Sequence, residues 1–409
     1  MAGNSLLTVS MITRKSVMIF TNTNILLKRI NRQYDSQYAN EGEKIGSVLR
    51  IRLPNDYVVS TGPAFQPQDT AETQTLLTMA TQNHVDVSFT SADLLLSLDD
   101  FAERILLPAM NNLAGKIALL LMQQVGESGC NLVANVDANN AVIAPVLRTF
   151  LKARASLYNS SAPQVKHDTI LSPDAMADTV SGLAGLLNPN SAISRQYMEG
   201  TMYDALGSIW GEDQSIITHT VGTFTSATIS GANQTGTVLN TNAQTGNLNV
   251  GDIVTIDGVN AVNYVQKASL GKLRQFVVTV ATTGGVDTTL NVFPAVIPAA
   301  NNAGVISDVQ YQTVDASPAD AAAIRLVLNA SQVYYNNLRY APEAITMATG
   351  DLPMPNDVKT ARHVYDNVSM RYVQQYIIGS DQSGRRMDVL WGSTTTRPQW
   401  VCKVPSPTT

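Results

Sequence analysis

Charge is what this 409-residue sequence has least of: Asp, Glu, Lys and Arg make up 14% of it, against about 25% in an ordinary soluble chain. Asn, Thr, Ser, Gln and Ala take their place and give a neutral polar surface. A monomer that relies on charge for solubility is not built this way, whereas a surface destined for other subunits can be. Only two cysteines occur, Cys130 and Cys402, far apart in sequence and outside any ligand spacing. That excludes a disulfide framework and suits a reducing cytoplasm. Long apolar runs are also missing. The longest uninterrupted one in the central helical segment, Ile117 to Met122, is far short of the ~20 residues a membrane span needs. Ser5 to Phe20 is mildly apolar, but Arg14 and Lys15 fall inside it and not before it, which makes it a poor secretion signal.

The net charge of −5 argues against tight, salt-sensitive nucleic-acid binding by the whole chain. Basic residues nevertheless gather near the start, where Arg14, Lys15, Lys28, Arg29 and Arg32 have no acidic residue among them.

Catalytic constellations are missing as well. The four histidines, His84, His167, His219 and His363, share no metal-ligand spacing with one another or with a cysteine, and each reads as a strand or loop residue. Gly126-Glu127-Ser128-Gly129-Cys130 has Cys where a nucleophile elbow needs its last Gly, and it reads as a helix stop. Gly271-Lys272 lacks the earlier glycine and the following Ser or Thr of a phosphate loop. Asp99-Asp100 fits helix capping, and Glu41 and Glu43 are paired in sequence only. Arg385-Arg386, near Asp381 and Asp388, reads as a solvated turn. No catalytic, cofactor or metal site is expected.

What the chain does have is a sequence of distinct patterns. Val17, Phe20 and Leu27, interrupted by Asn24, predict a short basic amphipathic helix within residues 1–42. Leu49, Ile51 and Leu53 alternate with Arg50 and Arg52, as a half-buried strand does. Leu76 and Thr78, then Val85, Val87 and Phe89, predict a returning pair around a polar tip. A lone hairpin of this kind is marginal in water and needs another surface. Ser97 with Asp100 fits a helix start. Phe101, Ile105, Ala109, Leu113, Ile117, Leu121 and Val125 then recur every four residues, beside a second stripe of Leu106, Met110, Ala114, Ala118 and Met122. Such a wide apolar face is core. Pro108 should kink this rod of roughly 40 Å. Val142 to Tyr158 and Pro173 to Leu187 read as helices, Thr169 to Leu171 and Ser215 to Thr220 as strands. From Val221 to Val314 the composition shifts to Thr, Val, Gly, Asn and Ala in short alternating runs, a small all-β barrel or sandwich. Ser317-Pro318-Ala319-Asp320 then predicts a capped helix over Ala321 to Tyr335.

Three stretches carry a resemblance: Ser208-Ile209-Trp210-Gly211-Glu212-Asp213-Gln214-Ser215 through Thr220, Val250-Gly251-Asp252-Ile253 through Val259, and Met387 to Lys403 with Leu390-Trp391-Gly392 and Thr396-Arg397-Pro398. They are similar to segments of major capsid proteins with the Hong Kong ninety-seven fold. The closer likeness is to coat proteins of short-tailed phages of the P-twenty-two type. The resemblance implies an α+β capsid fold with an N-terminal arm (1–42), an extended loop (43–80) and a peripheral domain with a spine helix (81–130). It implies an axial domain in two parts (131–220 and 315–374), an inserted β domain (221–314) and C-terminal strands returning to the peripheral domain (375–409). Arg50, Arg52, Tyr57 and Phe65, on the loop that lies across a neighbour, become candidate inter-subunit contacts. The implied partners are other copies in hexamers and pentamers, a scaffold protein, a portal and weakly held double-stranded DNA, with no membrane and no cofactor. The implied location is the virion, assembled in the host cytoplasm through a procapsid that expands as DNA enters. The alternative is a secreted adhesin or surface-layer protein, suggested by the Thr/Asn-rich β stretch.

Overall fold

The computed structural model describes residues 9–35, 48–53, 74–90, 102–182, 204–299, 310–380 and 382–408, with isolated positions between them. The chain forms two compact units. The first takes in Met1–Ile51, Gln74–Leu121 and Ile345–Thr396; the second Arg52–Thr73, Met122–Ala344 and Arg397–Thr409.

In the first unit, a six-stranded sheet is organised on the long strand Gln382–Thr395, which pairs with Thr81–Thr90, Ile345–Gly350 and Val368–Ile377. Lys359–Tyr365 and Asn31–Asp35 complete it. Helix α1, Val9–Thr23, packs on Lys359–Tyr365 and Val368–Ile377 and buries Ile12, Ser16, Val17 and Phe20, the spacing of one helical face. Its buried hydroxyls turn back on its own backbone: Ser16 Oγ donates to the carbonyl of Ile12 at 2.8 Å. Asn24 is more than a break in the stripe. It starts helix α2, Ile25–Arg29, by accepting from the amides of Leu26 and Leu27 at 2.9 and 3.1 Å.

The expected long helix is present as α3, Leu107–Ser128, and Ser128 ends it one residue before Gly129. The disturbance expected at Pro108 takes the form of a π-helical turn, Ala102–Leu106, directly before the regular helix. Length and apolar composition alone would let this helix cross a membrane. Its two stripes, from Leu106 to Val125, are instead buried to 3% exposure or less at nine positions, so it is a core helix. The proposed cap, Ser97 with Asp100, lies outside the described residues.

The second unit holds two sheets. One is seven-stranded, ordered Asn131–Leu132, Val401–Pro407, Val333–Tyr340, His167–Leu171, Ser208–Glu212, Asp204–Ala205, with Thr218–Thr220 also pairing Val333–Tyr340. Helices α4, Leu147–Asn159, and α5, Pro173–Gly182, accompany it, and Phe150 meets Trp210 edge-on at 4.7 Å between ring centroids. Helix α4 starts five residues later than its periodicity predicts, because Pro145 disfavours helical backbone just before it. Thr149 Oγ1 accepts from the amide of Val146 at its first turn.

The other sheet is the expected small β unit, six strands ordered Ala227–Thr228, Ala323–Leu326, Ile253–Val262, Ser269–Val278, Thr289–Val296, Gly236–Asn240. Its outer strands meet through Ser230 N to Asn240 O (3.0 Å) and Asn242 N to Thr228 O (2.8 Å), which closes the sheet on itself. Phe224, Ile256, Phe276, Leu290, Val314 and Ile324 fill the interior.

Two expectations fail here. The helix over Ala321 to Tyr335 does not form: Ala323–Leu326 and Val333–Tyr340 are strands, the first in the β unit and past the expected boundary at Val314. The alanine run favours a helix locally. Positive φ at Ala321 (59°) and Ser331 (61°) breaks the segment, however, and pairing of Val254–Ile256 with Ile324–Leu326 closes the barrel. Arg385 and Arg386, expected in a solvated turn, lie inside the Gln382–Thr395 strand. Their register opposite Gln374 and Val373 puts them in mid-sheet.

Candidate functional site

No catalytic site was expected, so the residues of interest are the four candidate contacts and the buried charges. Arg50 and Arg52 both lie on the exposed face of the Val48–Arg52 strand, which pairs Gln74–Thr78. Leu49 and Ile51, on its other face, pack against the cluster of Leu77, Met79 and Ala348. The period of two therefore separates a packed face from a basic one, as the alternation predicts. Gly392 shows how tightly this cluster is held, since a Cβ there would come within 2.2 Å of the carbonyl oxygen of Thr78. Farther along, Tyr57 is 59% exposed and Phe65 90% exposed, large apolar groups left in solvent by their own chain.

All four histidines lie in strands. Among the described residues, no group of three His, Cys, Asp or Glu side chains could hold a metal ion. His219 instead pairs with Asp252, Nε2 to Oδ1 at 2.8 Å. The other oxygen of Asp252 accepts from the amides of Gly222 and Asn249 at 3.0 and 2.8 Å. This carboxylate thus ties the strand at Thr218–Thr220 to the turn that opens the β unit's longest hairpin. Burial pushes the phenol of Tyr334, whose ring lies 5.4 Å from that of His219, far up from its ordinary value.

Lys403 is fully buried and its Nζ donates to the carbonyl of Gly251 at 2.8 Å. Burial brings its ammonium down to about 8, against the pull of Cys130, Asp252 and Glu127. Cys402 is buried too, and burial lifts its thiol to about 12, which makes it inert. His167 is held neutral, pushed down to about 4 by burial and then by the positive charge of Arg339. Arg339, itself buried, donates to the carbonyls of Phe150 and Leu206 at 3.2 and 3.0 Å, and burial lowers it to about 10.

In the first unit, the fully buried Asp388 accepts from Arg371, from Arg386 Nε at 2.6 Å and from Gln82 Nε2 at 3.2 Å. In the sequence Asp388 stands out little, as a flank of Arg385-Arg386. The one signal it gave was a charge inside the apolar run Met387 to Trp391. Lys403, between Cys402 and Val404, was likewise marked only by being a charge in an apolar strand.

These charges bind backbone and one another, and the fold leaves a basic strand face and exposed aromatic groups outside. The description "P22 coat protein, gene protein 5" belongs to the family whose sequence pattern matches residues 1–403. This chain therefore belongs to the P22 coat protein family. It is a major capsid protein of a tailed bacteriophage, a mixed α+β subunit and a virion component that assembles with its own copies into a shell. The secreted-adhesin alternative finds no support.

Among solved structures, it is similar to that of Mycobacterium phage Che8 at 10% identity, covering 94% of this chain and 90% of that one with a TM-score of 0.43. It is similar to the capsid of the cyanophage P-SCSP1u at 10% identity, covering 93% and 87% with a TM-score of 0.44. The CUS-3 coat protein I-domain is 32% identical over 25% of this chain and 94% of its own, with a TM-score of 0.20. No curated protein matches the chain.

Proposed function

We propose that the subunit builds its shell mainly through the segment around residues 43–80, which reaches across a neighbouring copy. Arg50 and Arg52 meet acidic or polar groups of that neighbour, and Tyr57 and Phe65 bury their rings against it. The observation that carries this is the exposure of both rings beside a strand whose opposite face is already packed. Residues 1–42 act as the arm, α3 as the spine, and 131–220 with 315–374 as the axial domain that meets its copies within each hexamer or pentamer. The closed β unit is the insertion.

In this reading assembly runs in the host cytoplasm around a scaffold protein and a portal. The shell then expands by hinge and rigid-body movement as double-stranded DNA enters, held in weak, non-specific contact. Heterologous contacts close the rings. No bond chemistry takes part and no cofactor or membrane is needed.

The test is negative-stain electron microscopy of the protein expressed alone and together with a candidate scaffold. Closed shells or capsomer rings are expected, and more regular shells with the scaffold. Monodisperse monomers under every condition would overturn the reading.

A further inference from the structure

Within the second unit, a groove of about 440 Å³ runs between helix α4, the residues following Cys130 and the Ser269–Val278 strand. None of the described residues lining it is acidic, while Lys152, Lys272 and Arg274 all line it. Lys152 and Lys272 are exposed and form a rim. Arg274 is only 4% exposed.

Among the described residues no carboxylate acts on Arg274, whose side-chain contacts are the Tyr264 phenol and the Cys130 thiol. Its Nη2 donates to the hydroxyl of Tyr264 at 3.2 Å, and Nε is buried with no hydrogen-bond partner among the described residues. The ionisable groups that act on it are Tyr264 and Cys130. A phenol is neutral at pH 7, and burial pushes the Cys130 thiol up, so it is neutral as well. A guanidinium taken out of water without a counter-charge or a full set of acceptors is unfavourable. It is also a planar fork that matches the oxygens of a carboxylate or phosphate.

The wall beside it is rigid. Gln275 accepts from the amide of Leu132 at 2.7 Å and donates to its carbonyl at 2.9 Å, so both ends of that amide are engaged. Ser156 and Asn159 of α4 add neutral polar groups on the opposite side. A largely buried guanidinium fork, two exposed ammonium groups and no carboxylate among the described lining residues make a receptor for one negatively charged group.

We infer that this groove is an oxyanion site, taking one carboxylate or phosphate-type group on Arg274 with Lys152 and Lys272 closing over it. Such a group has two sources, a free inorganic anion or the acidic side chain of a second copy of this chain. Only the second source rests on the shell reading above.

The experiment is calorimetric titration of the full-length unassembled protein with inorganic phosphate, at constant ionic strength set by chloride. One-site saturation is expected, weakened roughly tenfold or more in the double variant Lys152→Gln/Lys272→Gln, which removes both exposed positive charges. These rim substitutions lie at exposed positions, so an unchanged far-ultraviolet circular dichroism spectrum separates lost binding from lost folding. Arg274→Lys, which keeps the charge and loses the fork, is expected to bind more weakly than the parent. Absence of saturable binding by the parent, or equal binding by the rim variant, would overturn the site. The same titration on assembled shells separates the sources. Binding that persists there identifies a free anion, and binding that disappears on assembly identifies a carboxylate supplied by another copy.

Discussion

The buried ammonium of Lys403, in the strand Val401–Pro407, donates to the carbonyl of Gly251, in the turn that leads into the β unit's longest hairpin, at 2.8 Å. Gly251 has φ of +92°, and a Cβ on it would lie 3.3 Å from the Cα of Glu127 and from the ring of His219. Glycine here lets the turn come close enough for its carbonyl to reach the lysine. Burial holds Lys403 down at about 8. Below that pH the fold carries the charge at full cost. Between about 8 and the ordinary value of 10.5 the unfolded chain holds a proton the folded one has released, so stability rises with pH. From pH 7.5 to 9.5 the gain from this residue is about 2 kcal/mol. Urea unfolding of the parent at the two pH values should show it and Lys403→Met should not; parallel curves would refute the assignment.

His167 acts in the opposite window. Its folded value of about 4 lies below the ordinary 6.5, so the unfolded chain takes up a proton first as pH falls. Stability from this residue is complete above 6.5 and is lost as pH drops toward 4. Between pH 7 and 5 the loss is about 2 kcal/mol. Comparing unfolding midpoints of the parent and His167→Gln across that range checks it. The variant is expected to lose less.

Asp388 is the acceptor for Arg371, Arg386 and Gln82. Removing it with Asp388→Ala leaves the partly buried Arg371 without its counter-charge, a change that typically costs about 3–5 kcal/mol. Thermal unfolding should show a large fall in midpoint, with a smaller fall for Asp388→Asn, which keeps the shape and part of the hydrogen bonding. A variant as stable as the parent would mean that solvent replaces the carboxylate.

On helix α3, Ala114 and Ala118 are both fully buried. Ala118→Asp places an unpaired charge in the core and is expected to abolish soluble folding. A soluble variant with undiminished helical dichroism would show that this face is not core.

Charge reversal of both Arg50 and Arg52 to Glu changes an exposed strand face and not the packed one. A folded subunit that assembles badly is expected, read by sedimentation of assembly mixtures beside dichroism of the free subunit. Normal shells would remove these residues from the contact surface.

Much of the architecture is legible where a pattern repeats between close neighbours in sequence. The stripes of α3 identify it as a buried rod, and alternation such as that of Thr289–Val296, buried at every second residue, identifies the β unit. The strand Asn31–Asp35 is not legible. It carries no alternation and exists by parallel pairing with Ile345–Gly350, more than 300 residues away. The alanine-rich stretch after Pro318 reads as a helix for the same reason in reverse, because its local preference is overridden by a partner strand, Ile253–Val262. Of the candidate contacts, Arg50 and Arg52 were legible as one face. The groove of Arg274 was not, since α4 and Ser269–Val278 lie more than 100 residues apart.

By itself the sequence determined which segments are apolar on one side, where Asn24 and Gly129 interrupt a helix, and that charge is scarce. Those are properties of a residue and its few neighbours, set by side-chain chemistry and the periods of helix and strand. The tertiary structure decided which strands pair, that the β unit closes through Ala323–Leu326, and which few charges are carried inside. In the sequence Asp388 and Lys403 are marked only by their apolar neighbours, and Arg274 is not marked at all. Only the chain's return from far away removes water from them and, for Asp388 and Lys403, supplies the partners that replace it.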